Sequence, residues 1–585
     1  MAHRTRRQAL LAAPLLAVAL TCAPFLYAAE EKIDPPGLPR AVIDQWRAGP
    51  LLPVHPLIDE PAEFGRTEER GIPISVSGCI EILLQNSLEL ASRRQLPLIQ
   101  DAMILTERGR FDVNLYLDSS YTLSSMRSSS ILSGASSLEK EIAQYDLGAR
   151  RLMKTGTVVD LKFETIRLWT NSYFFNLNPS YETRLSLSIV QPLLRGGGPA
   201  FGGSRVALAE NLKLLSIEAY EKLVAELVAA VETSYWDLVF AGENLQVKKD
   251  SLALARSLLE DNKNLIDIGA MAPTDIHLSE TRVAQREEEV LLSENAVFEM
   301  EDRLIKLVDI DPASIPAGTR LIPSDRPVIE EVEIDLEDGI ERACEARPEI
   351  RSARLDLKNK ELGLGIAENA LLPELSIVGG VALSGLAGHS TPFDPLELLD
   401  PYPRIQSFLR IFDEHFGFDR EAADNLSGGY GDSIEELFTG DNRSWNIGLR
   451  LSVPLGNRTA RGQYARAKLE YRQALLTAHS LERQIALEIR QAIRHVESAG
   501  KRIDTTRSAT TLAGSQLDAE EKKRRLGLST NFRVLQAQED LSLARTAELK
   551  SRIDYLKARI RLELVTAALL DSRGIRLDED YSIRF

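Results

Sequence analysis

The chain has 585 residues, 44% of them hydrophobic and 27% charged, with 86 acidic against 70 basic side chains and a formal net charge of −16. That balance excludes a nucleic-acid binder, which needs a basic footprint. Three cysteines exclude a disulfide framework, and beyond the N-terminal segment no stretch is apolar and uncharged for long enough to span a bilayer as a helix.

Residues 1–28, with a basic start, an apolar stretch interrupted by Pro14 and small residues up to Ala28, read as a secretory signal peptide. Its removal takes away Arg4, Arg6 and Arg7 and no acid, so the mature chain is three charges more negative and keeps only Cys79 and Cys344. Residues 29–75 read as an extended N-terminal arm, because eight prolines fall between positions 35 and 73.

A helix is expected over roughly 77–110, followed by period-two alternation in "NLYLDSSYTLSS" (114–125), "TVVDLKFETIRL" (157–168) and "YETRLSLSIVQPLL" (181–194). These runs match the ~9–11 residues of a membrane β-strand. "MKTGTV" (153–158) reads as a tight turn that could add a strand pair. "RGGGPAFGGS" (195–204) lacks the lysine of a phosphate-binding loop and suits a flexible joint where strand becomes helix, flanked by Pro192 and containing Gly196.

A heptad line then begins: Ile217, Val224, Val231, Leu238, Leu245, Leu252, Leu259, Ile266. It stops at "IDIGAMAPTDI", where Gly269 suits a helix end and Pro273 a new start, and resumes as Ile276, Val283, Val290, Val297, Leu304. The reading is a tight hairpin of long helices. The first of them, over roughly 203–268, is about 65 residues and on the order of 100 Å long.

The second half repeats this order at a spacing of about 260 residues. "VSGCIEILLQNSLELASRR" (76–94) aligns with "LEDGIERACEARPEIRSAR" (336–354), "IVQPLL" (189–194) with "LSVPLG" (451–456), Val231 with Ile489, and Gly269 with Gly527. A helix over 337–370, strands at 374–386 and 444–456, a joint at Pro454 and Gly456, and a long helix over 458–526 complete the second copy. The organisation expected is therefore a first repeat over 76–335, a second over 336–571, and a C-terminal tail over 572–585.

Strands of membrane length on an exported chain imply a closed barrel. One chain offers only four to six, and closure needs about eight or more. The barrel must be shared between chains.

The duplicated order, "QPLLRGGG" and "VPLGN" leading into long helices, and the tips "IDIGAMAPTDI" and "RLGLSTNFRVLQAQ" resemble the TolC family of outer-membrane efflux proteins. The likeness covers roughly residues 72–571. It implies an α+β membrane protein of two internal repeats per chain, assembled as a homotrimer. A shared transmembrane β-barrel sits among outer-membrane lipid and is continued by a long α-helical coiled-coil barrel in the periplasm. The function implied is a passive exit duct for efflux or type I secretion, coupled through a periplasmic adaptor to an inner-membrane pump. Ile268, Gly269 and Ala270, with Leu526, Gly527 and Leu528, then match the apolar-Gly-apolar element at which the adaptor docks. The competing reading is an exported coiled-coil tether without channel activity.

The sequence departs from the family in two places. A 59-residue stretch, 386–444, separates the last two strands and reads as a cap or a surface loop, with "RIQSFLRIFDEHF" as a possible amphipathic helix. The family's acidic ring, six and nine positions past the second tip glycine, is replaced by Arg533 and Gln536, while Asp275 keeps its acid in the first copy. A pairing of Asp275 with Arg533 as a periplasmic gate follows as an expectation. No catalytic constellation or cofactor motif is present in the sequence. Seven scattered histidines do not make a metal site, and His277 with Glu280 lacks a second histidine.

Overall fold

The computed structural model describes residues 70–129, 135–172, 175–267, 276–311, 319–329, 335–391, 426–577 and 583–584. The signal peptide and nearly all of the N-terminal arm lie outside these residues, as do the first tip and the "RIQSFLRIFDEHF" segment. The elements in chain order are β1 (Arg70–Ile74), α1 (Val76–Asn86), α2 (Leu88–Arg108), β2 (Val113–Arg127), β3 (Ser137–Leu152), β4 (Val158–Thr170) and β5 (Leu177–Pro192). Then come α3 (Pro199–Gly202), α4 (Ser204–Asp267), α5 (Ile276–Val308), β6 (Thr319–Pro323), α6 (Leu336–Ala346), α7 (Pro348–Asn369), β7 (Glu374–Ser390) and α8 (Tyr430–Thr439). The chain closes with β8 (Arg443–Ser452), α9 (Arg458–Arg525), α10 (Asn531–Val565), α11 (Leu569–Ser572), β9 (Arg576–Leu577) and β10 (Ile583–Arg584).

The expected helices 77–110 and 337–370 are each broken. Ser87 ends α1 in an extended conformation, and its hydroxyl accepts from Leu90 N at 3.3 Å, capping α2. In the second half Arg347 is extended ahead of Pro348, which supplies no N–H and disfavours a helical neighbour. Of the strands that share one sheet, β2, β3, β4 and β5 fall in the first expected repeat and β7 and β8 in the second, so the copies are unequal.

One compact unit comprises Met1–Leu98, Ile217–Glu349 and Arg483–Phe585. Its core is the heptad seam: Val224, Val231 and Leu238 are at most 1% exposed and pack with Ile80, Leu83, Leu304 and Ile560. Burying each such side chain contributes roughly 1.5–3 kcal/mol, which explains why the seven-residue step persists. β1 and β6 pair in parallel. Beside them the buried Tyr235 hydroxyl donates to Ile74 O and accepts from Asp325 N, both at 3.1 Å, so this phenol is satisfied in the core. The segment read as a tail from residue 572 does not trail free: Ile575 is 2% exposed, Arg573 grips buried Glu232, and β9 pairs with β10.

The second unit comprises Ile99–Ser216 and Ile350–Glu482. It is organised by a six-stranded sheet in the order β2-β3-β4-β5-β7-β8, every neighbouring pair antiparallel. The turn at 153–158 does join two strands, giving six per chain. The sheet is open within one chain.

Candidate channel wall and docking tip

Period-two alternation sorts the sheet's side chains onto two faces, and the register aligns them across all six strands. One row runs Leu115, Ala149, Leu161, Leu187, Val381, Trp445. The adjacent row on the opposite face runs Asn114, Arg150, Asp160, Ser188, Gly380, Asn446. Where α8 (Tyr430–Thr439) does not cover it, around Thr183 and Gly385, the apolar face is bare in the single chain, with Leu115 78%, Trp445 75% and Leu449 73% exposed. An apolar surface that continuous marks a membrane or partner contact.

The polar face neutralises its own charges. Arg150 Nε lies 2.6 Å from Asp160 Oδ2, and the Tyr116 hydroxyl donates to Asp160 Oδ1 at 3.0 Å. Lys162 Nζ sits 2.9 Å from Asp146, and Gln144 donates to Glu164 at 2.9 Å. The sheet thus presents one apolar face and one charged, internally paired face.

The joints are bonded rather than loose. Asn369 Oδ1 accepts from Gly196 N at 2.7 Å, Leu193 N donates to Leu375 O at 2.8 Å, and Gly198 N reaches Thr155 O at 3.0 Å. Gly196 and Gly456 both take positive φ, 78° and 84°, and Pro192 pairs with Ser376 at the end of β5. Pro454 lies just past β8.

Part of the long stretch 386–444 is ordered structure that the sequence reading missed. β7 extends to Ser390, and α8 packs against β5 and β7 through Ser433 and Leu437, at most 1% exposed. Thr183 Oγ1 donates to Ser433 O at 2.8 Å, and Leu386 N donates to Glu436 at 2.5 Å. Glycine is required at 385, because a Cβ there would collide with the Ser433 carbonyl. Gly385→Val should lift α8 off the sheet. The lost burial of Leu437, roughly 1.5–3 kcal/mol, should accelerate amide exchange in 430–439 about tenfold or more. Exchange at the parental rate would show that α8 is held elsewhere.

In the first unit, α9 ends in a left-handed glycine cap. Gly527 has φ 73°, its N–H reaches Arg524 O at 2.9 Å, and Leu528 N reaches Lys523 O at 2.8 Å. Leu526 and Leu528 stand 74% and 73% exposed on either side of it. The first-copy residues Ile268, Gly269, Ala270 and Asp275 lie outside the described residues. Arg533 and Gln536 are exposed near the start of α10, and Gln536 donates to Asp540 at 3.3 Å. The acid that senses Arg533 is Glu520, held below the usual carboxylate range by bonds from Lys523 (2.7 Å) and Ser529 (2.6 Å), with Arg533 a smaller contribution.

A polar seam behind the tip also escaped the sequence reading. Fully buried Asn262 donates to Ser279 Oγ at 2.8 Å and accepts from Arg524, which also pairs with Asp261 at 2.9 Å. Arg286, 8% exposed at its side chain, bonds Glu289 at 2.8 Å and Glu539 at 3.3 Å, and Lys248 closes on Glu289 at 3.0 Å. Helices α4, α5, α9 and α10 are thereby tied side to side. The signal was present in the steps of seven Ala241, Lys248, Ala255, Asn262, a second line in which two polar residues occupy a core seam.

Burial pushes the Glu289 carboxyl up, but Lys248 and Arg286 outweigh it and hold it below its ordinary 4.5. Its contribution is therefore complete above 4.5 and is lost as the pH falls below that value. Amide protection around Leu258 and Leu541, taken relative to the intrinsic exchange rate at each pH, should be lower at about pH 3 than at pH 7. Equal protection would assign the seam no titrating role.

Residues 339–568 match the model of the outer membrane efflux protein family. Among solved structures the chain is similar to the CmeC outer membrane channel of Campylobacter jejuni, at 14% identity over 84% of this chain and 86% of that one, TM-score 0.55. It is also similar to the outer membrane protein VceC of Vibrio cholerae, at 15% identity over 84% and 95%, TM-score 0.55. The MtrE outer membrane channel of Neisseria gonorrhoeae in its open state matches at 15% identity over 84% and 89%, TM-score 0.52. At such identities the likeness is one of fold.

Proposed function

We propose that this chain, whose residues 339–568 match the model of the outer membrane efflux protein family, is one of three identical subunits of a passive exit duct in the outer membrane. The observation that carries this reading is the sheet: one face apolar and largely exposed, the other charged and internally neutralised, and both edges unpaired among the described residues. Lipid tolerates no unpaired backbone edge, so the sheet needs other copies to close it. The long helices form the periplasmic part of the same duct. Leu526, Gly527 and Leu528, with Ile268, Gly269 and Ala270, meet a periplasmic adaptor, and an inner-membrane pump supplies the energy and selects the cargo.

Cell fractionation tests this against the tether. The duct requires a heat-resistant trimer that leaves the outer membrane only with detergent. A rod released by salt or osmotic shock alone would establish the tether instead.

At the periplasmic mouth Asp275 pairs with Arg533, within or between chains, with Glu520 as the neighbouring acid that keeps Arg533 oriented. A solvated pair contributes only ~0–1 kcal/mol, and a threefold ring multiplies it by symmetry. Asp275→Arg should raise single-channel conductance in planar bilayers, and adding Arg533→Asp should lower it again. Conductance indifferent to both changes would leave Arg533 as a partner of Glu520 alone.

A further inference from the structure

We infer that β2 of one chain pairs antiparallel with β8 of the next, and that three copies close an eighteen-stranded wall. The inference rests on the trimeric duct proposed above and adds to it the wall's composition, seam and width. Within the described residues β2 and β8 are the sheet's two edges. Because six strands alternate in direction, the two edges run opposite ways, so head-to-tail copies meet antiparallel without a defect. An odd number per chain would force a parallel seam.

The faces match across this seam as well. Leu115 and Leu117 of β2 lie on the same face as Trp445, Ile447 and Leu449 of β8, and all five are more than half exposed in the single chain. The second copy is the partner whose chemistry fits both edges, since it brings the same apolar belt and the same polar lining in register.

The β3–β4 hairpin belongs in this wall rather than outside it. β3 is laddered to β2 along its whole length, and β4 to β5 from Val158 to Leu168. Tyr145, Leu147, Leu161 and Phe163 continue the apolar face, while Asp146, Arg150, Asp160 and Lys162 continue the charged one. A hairpin folded away from the wall would have no use for both.

Strands about 4.8 Å apart and tilted about 40° give an eighteen-stranded cylinder about 36 Å across, against about 24 Å for twelve strands. Electron cryomicroscopy of the full chain, extracted as its oligomer, reads this directly. The expected result is a trimer with a wall about 36 Å wide and β2 beside the next chain's β8. Excision of residues 137–170 leaves β2 and β5 antiparallel to each other and should narrow the wall to about 24 Å. A full-length trimer with a wall about 24 Å wide and β3–β4 outside it overturns the inference while the duct stands. An excised variant whose wall keeps its full-length width does the same. If no membrane-inserted oligomer forms, the duct and the inference fall together. Should the excised chain fail to assemble, the width of the full-length wall decides alone.

Discussion

Gly527→Glu is expected to leave the proposed trimer intact and to abolish export. The glycine sits at φ 73°, where a side chain costs about 1–2 kcal/mol of backbone strain, too little to unfold a helix as long as α9. Among the described residues nothing lies within 4 Å of a Cβ built at this position, so the new side chain starts in open space. It does sit between two exposed leucines, and any partner covering Leu526 and Leu528 would have to bury an unpaired charge. Dye efflux from intact cells, read beside the heat-resistant trimer band, checks this. Gly527→Ala, carrying the strain without the charge, should keep most of the export. Export at the parental rate in the glutamate variant would show that the second tip carries no contact.

The second large effect is on stability. Arg573 Nε and Nη2 grip Glu232 at 2.5 and 2.9 Å, Nη2 also reaches Glu563 at 3.1 Å, and the Glu232 side chain is 2% exposed. Arg573→Ala strands that carboxylate in the core and should cost about 3–5 kcal/mol, because a buried charge without its partner keeps its full desolvation penalty. Replacing both residues by methionine should recover most of the loss, since an apolar pair of similar volume leaves no charge at 232, and Glu563 keeps Arg559 at 3.0 Å. Urea unfolding followed by helical circular dichroism measures both. An alanine variant within 1 kcal/mol of the parent would mean that the C-terminal segment does not anchor the core as described.

The helices were the most legible part of the sequence. An unbroken step of seven can serve only a continuous seam, and the expected 203–268 and 458–526 differ from α4 and α9 by a single residue at each changed end. The breaks at Ser87 and Arg347 were hidden because capping and proline chemistry act locally, beneath a periodicity that continues through them. β3 was illegible for a different reason. "SLEKEIAQYDLGARRL" carries charges on the face that pairs with β4, and their neutralisation appears only once Asp146 meets Lys162 and Arg150 meets Asp160 across the hairpin. Helix α8 depends on Gly385, whose missing side chain has meaning only beside a helix some fifty residues further along. At the tip, apolar-Gly-apolar could be read from sequence; Asn262 stood in a legible step of seven, but its role and that of Arg286 could not be read, because a polar residue in a seam declares its bonds only through its partner.

The central claim, a conduit built from three copies, is tested most directly by planar-bilayer recording of the full-length oligomer extracted from outer membranes. Discrete conductance steps that require the intact trimer and vanish when it is dissociated are the expected result. Bilayers that stay sealed, or steps of the same size from a folded single chain, would contradict it.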